Sequence, residues 1–208
     1  MGPASIMLLL GLAAGSRVPA LADVKDVLAR AYGDTVTAEI GRQPSFVVGD
    51  FNWDGVEDLA VIVKPVPGRL AALNNEMANW VLEDPMKVRV PDFLPRRAGL
   101  PPPARSAVQA DEPLLAVIHG LGPDGWRSRQ IAHFYLLHNA GATALRRLSR
   151  AEFYAGTKDA ARKVHTVRGD VIGETRGRAQ GFLIYAGGKY AWYEPTAASS
   201  GANRPGGR

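Results

Sequence analysis

Apolar positions in this chain follow two rhythms. Val24, Val27, Leu28 and Tyr32 recur at the spacing of one helix face, with Asp23 placed to cap the first turn and Gly33-Asp34 to end it. From Arg69 to Glu83 the stripe Leu70, Leu73, Met77, Trp80 and Val81 predicts a second helix, closed by Asp84-Pro85. Between the two helices the rhythm shortens. Phe46-Val47-Val48 and Leu59-Ala60-Val61-Ile62-Val63 are short β-branched runs and read as two strands, the second stopped by Pro65 and Pro67.

Residues 85–113 hold seven prolines, three of them consecutive at Pro101-Pro102-Pro103. A core is hard to build from such a stretch, so it reads as a long, partly extended surface excursion. Strands resume at Leu114–Ile118 and Ile131–Leu137, linked by the turn-rich Gly120-Leu121-Gly122-Pro123-Asp124-Gly125-Trp126. Ser149-Arg150-Ala151-Glu152 has capping-box spacing and starts a short helix through Phe153 and Tyr154. Lys163–Val167 and Asp170–Ile172 read as strands around Arg168-Gly169. Phe182–Ala186 and Lys189–Tyr193 form the clearest hairpin, its Gly187-Gly188 turn able to take positive φ. From Thr196 the chain is small, polar and glycine-rich, and is expected to be disordered. The pattern predicts one α+β domain over residues 23–195, mostly antiparallel β-sheet with a few short helices.

The connection between the first two strands carries the most specific chemistry. In Asp50-Phe51-Asn52-Trp53-Asp54-Gly55-Val56-Glu57-Asp58, oxygen-bearing side chains stand at alternate positions: Asp50, Asn52 and Asp54, followed by Asp58. Calcium takes six to eight hard oxygen ligands, and alternate side chains on a tightly curled loop converge on one point. Gly55 permits the sharp turn, and the Val56 carbonyl is the natural main-chain ligand. Three carboxylates packed this closely repel one another without a cation. The loop is not an EF-hand, because Val61 stands where a bidentate glutamate belongs and strands rather than helices flank it.

Gly49 to Val61 resembles the FG-GAP or VCBS-type repeat, whose pattern is roughly GDFNGDGxxDLAV. In that family the loop binds calcium between two strands, and the resemblance implies the same role for Asp50, Asn52, Asp54, Val56 and Asp58. Trp53 replaces the usual glycine without removing a ligand. Such repeats normally come several to a chain and build a β-propeller. A single copy implies no full propeller here, and the adhesion roles of the multi-repeat proteins do not carry over. The rest of the chain looks similar to exported bacterial proteins that carry one such loop.

Composition narrows the setting. At 46 % hydrophobic the chain can bury a core, while 23 glycines and 15 prolines favour turns and short strands over a helix bundle. Ile6 to Ala14 is an apolar run too short to span a bilayer, and Ala20 and Ala22 suit a signal peptidase. Residues 1–22 therefore read as a signal peptide, although no Lys or Arg precedes the apolar run; after its removal no membrane span is expected. The protein is expected to be periplasmic or secreted. No cysteine is present, which rules out disulfides and thiolate metal sites. The formal charge of +5 is scattered, apart from Arg96-Arg97 and Arg146-Arg147, so no specific nucleic-acid partner is expected.

Three weaker signals remain. Arg168-Gly169-Asp170 spells an integrin-recognition tripeptide but falls between two predicted strands and reads as a turn. If the strands at 114–118 and 131–137 pair, His119 and His133 meet at one end, and with Asp124 they would form a zinc or general-base site. No nucleophile elbow, glycine-rich phosphate loop or histidine zinc motif supports catalysis. Trp126, Tyr185, Tyr190, Trp192 and Tyr193 offer an aromatic platform for a glycan or an extracytoplasmic protein, although aromatic strand residues more often fill a core. The sequence thus points to an exported, non-catalytic binding or structural module with one structural calcium ion. Its alternative is an extracytoplasmic hydrolase using His119, His133 and Asp124.

Overall fold

A computed structural model describes residues 19–39, 41, 44–88, 107–130, 133–157, 167–176 and 179–195. The expected signal segment through residue 18, the stretch 89–106 of the proline-rich excursion, Ile131, residues 163–166 and the tail from Thr196 lie outside the described residues.

Helix α1 (Leu21–Tyr32) begins two residues before the expected cap, so Asp23 sits in its first turn, where a negative charge suits the helix dipole. Strands β1 (Val36–Ala38), β2 (Phe46–Gly49) and β3 (Asp58–Pro65) follow, then a four-residue helix α2 (Leu70–Leu73) and strand β4 (Val81–Glu83). The expected helix over 69–83 therefore stops after one turn. Asn74 turns its amide onto Val108, accepting from the main-chain N–H at 2.7 Å and donating to the carbonyl at 3.1 Å. Asn75 accepts from Met77 N–H in an Asx turn, and Val81–Glu83 pairs with a strand instead. Side chains that bond the main chain compete with helix, and here they win.

The second half adds β5 (Leu114–His119), β6 (His133–Leu137), β7 (Arg146–Leu148), α3 (Arg150–Gly156), β8 (Val171–Arg176), β9 (Ala179–Ala186) and β10 (Lys189–Tyr193). Ser149 and Glu152 close the expected capping box at α3. The strands form two mostly antiparallel sheets. Sheet A runs β1-β3-β5-β6-β4, with β2 beside β1 along the same edge of β3; sheet B runs β10-β9-β8-β7. Only β4 and β6 pair in parallel among the described strands.

Residue parity sorts the core into layers. Leu59, Val61, Val63, Leu114, Ala116, Ile118 and Leu136 face α1. Ala60, Ile62, Leu115, Val117, Tyr135 and Leu137 face sheet B, against Ile172, Leu183 and Tyr190. Phe153 of α3 covers the far side of sheet B with Phe182 and Ile184. β3 and β5 are thus buried on both faces, which is why their sequences run apolar without alternation. At the corners of the sandwich, Leu145 N–H donates to Pro44 O and Trp192 N–H to Pro85 O, each at 3.0 Å. Single bonds thus link the sheet edges, and neither sheet closes into a barrel.

Candidate functional site

β2 ends at Gly49 and β3 starts at Asp58, so the oxygen-rich loop is the connection between two paired strands. Trp53 and Gly55 both take positive φ, 64° and 81°. These two reversals curl the loop so that its side chains gather on its own main chain. Asp54 N–H is shared by Asp50 Oδ1 and Asn52 Oδ1, each at 3.1 Å. Gly55 N–H donates to Asp50 Oδ2 at 3.0 Å, Val56 N–H to Asp54 Oδ1 at 2.8 Å, and Asn52 Nδ2 to Asp54 Oδ2 at 2.8 Å. Asp50 and Asn52 are half-buried and Asp54 is exposed.

Asp58 is placed differently. It is fully buried, and its Oδ2 accepts from Phe51 N–H at 2.9 Å and Asn52 N–H at 3.4 Å, while Oδ1 accepts from Gly120 N–H at 2.9 Å. Burial pushes its pKa up to about 7, the Gly120 and Phe51 N–H groups pull it back, and the Asp54 charge raises it further. Among the described residues no cluster of three or more His, Cys, Asp or Glu side chains is arranged to hold a metal ion. The donors gathered at the loop are two carboxylates, Asp50 and Asp54, and the amide oxygen of Asn52. Each of their five side-chain oxygens accepts a single N–H and keeps a second lone pair.

Both flanks of the loop are gripped from distant parts of the chain. On one side Gly120 and Gly125 leave room for the Glu57 carbonyl, which a β-carbon would meet at 2.3 and 2.6 Å; Trp126 N–H donates to that carbonyl at 2.8 Å. Trp126 is fully buried, and its ring N–H and the Arg127 guanidinium both bind Glu57 Oε1, at 2.9 and 2.5 Å. On the other side Asp170 N–H donates to Asp50 O at 2.7 Å, and Asp170 Oδ2 accepts from Asp50 N–H at 3.1 Å and from Arg147 Nε at 2.8 Å. Gly169 lies so close to Asp50 O that a β-carbon would meet it at 2.5 Å. The Arg168 guanidinium stands 5.4 Å from the Trp53 ring, which is 56 % exposed. The integrin-like tripeptide is therefore spent on the loop, with its glycine buried and its aspartate ion-paired.

The histidine pair meets as pairing predicts. His119 lies directly opposite His133 across β5 and β6, with ring centroids 6.2 Å apart. His119 is sealed between the sheets among Tyr135, Tyr185 and Tyr190, and its Nε2 lies 2.8 Å from Tyr190 Oη. Burial lowers its pKa to about 4, helped by His133 and opposed by Asp54. His133 is exposed. Asp124 is also exposed, in the turn before Gly125, and among the described residues its side chain bonds neither histidine. Tyr190 and Trp126 are core residues and Trp192 is half-buried beneath Arg176, so the aromatic set fills the interior more than it lines a platform.

Sequence reasoning missed one pair. His138 is buried, with Nδ1 2.7 Å from Glu112 Oε1 and Nε2 unpartnered. No local motif joins two residues 26 positions apart.

Set against protein-family models, curated proteins and solved structures, the chain gives no match. The likeness to the FG-GAP or VCBS repeat rests on residues 49–61 alone.

Proposed function

We propose that this protein is a calcium-binding module of the extracytoplasmic space, with a non-catalytic binding or structural role and one ion held in the loop 50–58. The observation that carries the reading is the convergence of Asp50 Oδ1 and Asn52 Oδ1 on one N–H, with the Asp54 carboxylate bonded to the Asn52 amide. A curl with reversals at 53 and 55 gathers hard oxygens on one small region, which is the donor chemistry calcium prefers. Asp50, Asn52, Asp54 and the Val56 carbonyl would hold the ion from the loop, while Asp58, the fifth expected ligand, has both oxygens engaged by main-chain N–H groups. A bound cation would offset the mutual repulsion of the carboxylates. Trp53 takes φ 64°, a region few non-glycine residues occupy, and such outliers gather at functional sites. The resemblance to exported proteins with one such loop supports the location. His119 has no exposed surface and Asp124 bonds neither histidine, which counts against the hydrolase alternative of His119, His133 and Asp124.

Thermal unfolding of the chain from Asp23 in millimolar calcium, in millimolar magnesium and in chelator tests the reading. A rise of several degrees specific to calcium is expected, because an ion bound only by the folded state stabilises it by mass action. Asp54→Ala should abolish that rise. An equal melting temperature in all three conditions would reduce the loop to a polar turn.

A further inference from the structure

Asp170 lies 120 residues from Asp50 in sequence yet binds it at both ends of its peptide backbone. Its N–H donates to the Asp50 carbonyl at 2.7 Å and its carboxylate accepts the Asp50 N–H at 3.1 Å. The same carboxylate oxygen takes the Arg147 guanidinium at 2.8 Å, and its side chain is only 13 % exposed. Two glycines make the approach possible. A β-carbon on Gly49 would meet Asp170 Oδ2 at 2.7 Å, and one on Gly169 would meet the Asp50 carbonyl at 2.5 Å. Asp170 and Gly169 thus meet the main chain of the first expected ligand, with Arg147 and Gly49 against the Asp170 carboxylate. This grip on Asp50 comes in addition to the bonds that the loop's own side chains make to its amides.

Resting on the calcium reading above, we propose that Asp170 is the positioning residue of the ion site, oriented by Arg147 and admitted by Gly49 and Gly169. It fixes the Asp50 backbone and so aims the Asp50 carboxylate, and it makes ion affinity depend on the seating of sheet B against the loop. Groups that orient a ligand from behind commonly change metal affinity by roughly 10–100-fold when removed. By linkage the dependence is reciprocal: the ion strengthens the bond from Asp170 N–H to Asp50 O.

The test is calcium titration by calorimetry on the folded chain from Asp23, for the native protein, Asp170→Ala and Asp170→Asn. Asp170→Ala should weaken binding about ten-fold or more. Asp170→Asn should recover most of that loss, because its amide oxygen still accepts the Asp50 N–H. In the native protein, saturating calcium should also slow hydrogen exchange of the Asp170 amide at least about ten-fold, a readout that stands even if Asp170→Ala fails to fold. Native-like affinity in Asp170→Ala, or an Asp170 amide indifferent to calcium, overturns the positioning role while leaving the calcium reading intact. Absence of calcium binding by the native protein overturns both.

Discussion

Two of the connections between neighbouring antiparallel strands are built in opposite ways. Between β9 and β10 the chain reverses in two residues, Gly187 and Gly188, with φ of 60° and 82°. A β-carbon at either glycine would meet nothing within 4 Å, so the turn is held by its own torsions and by the ladder on each side. Between β2 and β3 the chain takes eight residues, and its shape is held by side chains and by groups from elsewhere. Asp58 supports it from within, Gly120 and Trp126 grip one flank, and Asp170 grips the other. A turn written in torsions needs only its own residues. A loop written in carboxylates needs the rest of the protein.

The contrast breaks first at Asp58. Replacing it with Ala leaves the N–H groups of Phe51, Asn52 and Gly120 without their acceptor, and should cost about 3–5 kcal/mol, read as a lower urea midpoint. Asp58→Asn, which keeps one acceptor oxygen, should lose less. If Asp58→Ala unfolded no more easily than the native chain, the loop would stand on its own torsions after all.

Acid probes the same support from the strand that presents Gly120. His119 titrates near 4 in the folded protein against an ordinary value of 6.5, so the unfolded chain binds more protons between those limits. Stability from this group is therefore fully present above about pH 6.5 and is lost as pH falls towards 4, by about 3 kcal/mol. His133, Tyr135, Tyr185, Tyr190 and Asp54 surround or act on the ring and are present in both proteins being compared. Urea midpoints measured from pH 7 to pH 4 should fall less steeply in His119→Gln than in the native chain. Parallel curves would mean that the imidazole is free to charge in place.

The smallest effects make the sharpest comparison. Gly120→Ala drives a β-carbon to 2.3 Å from the Glu57 carbonyl and should cost about 2–3 kcal/mol by forcing backbone apart. Gly187→Ala meets open space and should cost only the left-handed torsion, about 1 kcal/mol. Equal losses in the two variants would dissolve the distinction between the connections.

Reading the sequence worked where neighbours in the chain decide the outcome. The capping box at Ser149, the two-glycine hairpin, the buried runs of β3 and β5 and the strand-loop-strand around residue 50 all depend on residues a few positions apart. It failed where a distant partner decides. The stripe from Leu70 to Val81 has helical spacing, but Asn74 finds Val108 and Val81 finds Tyr135. The tripeptide at 168–170 looked like an isolated turn because its partner, Asp50, stands far back in the sequence. His138 carried no signal, since Glu112 reaches it only after the sheet forms.

For the candidate site the division is the same. Alternate oxygens, a glycine at the turn and two flanking apolar runs are local chemistry, and the chain alone specified the loop and the oxygen-bearing residues it carries. The sequence likewise specified a β-rich domain, because alternation, turn residues and caps act over a few ångströms. What folding alone decided is which way each carboxylate serves. Asp58 turns inward to three main-chain N–H groups, and Asp170 arrives from the other sheet to clamp Asp50. Those assignments come from burial and close approach, which exist only once two sheets have packed and which no spacing along a chain encodes.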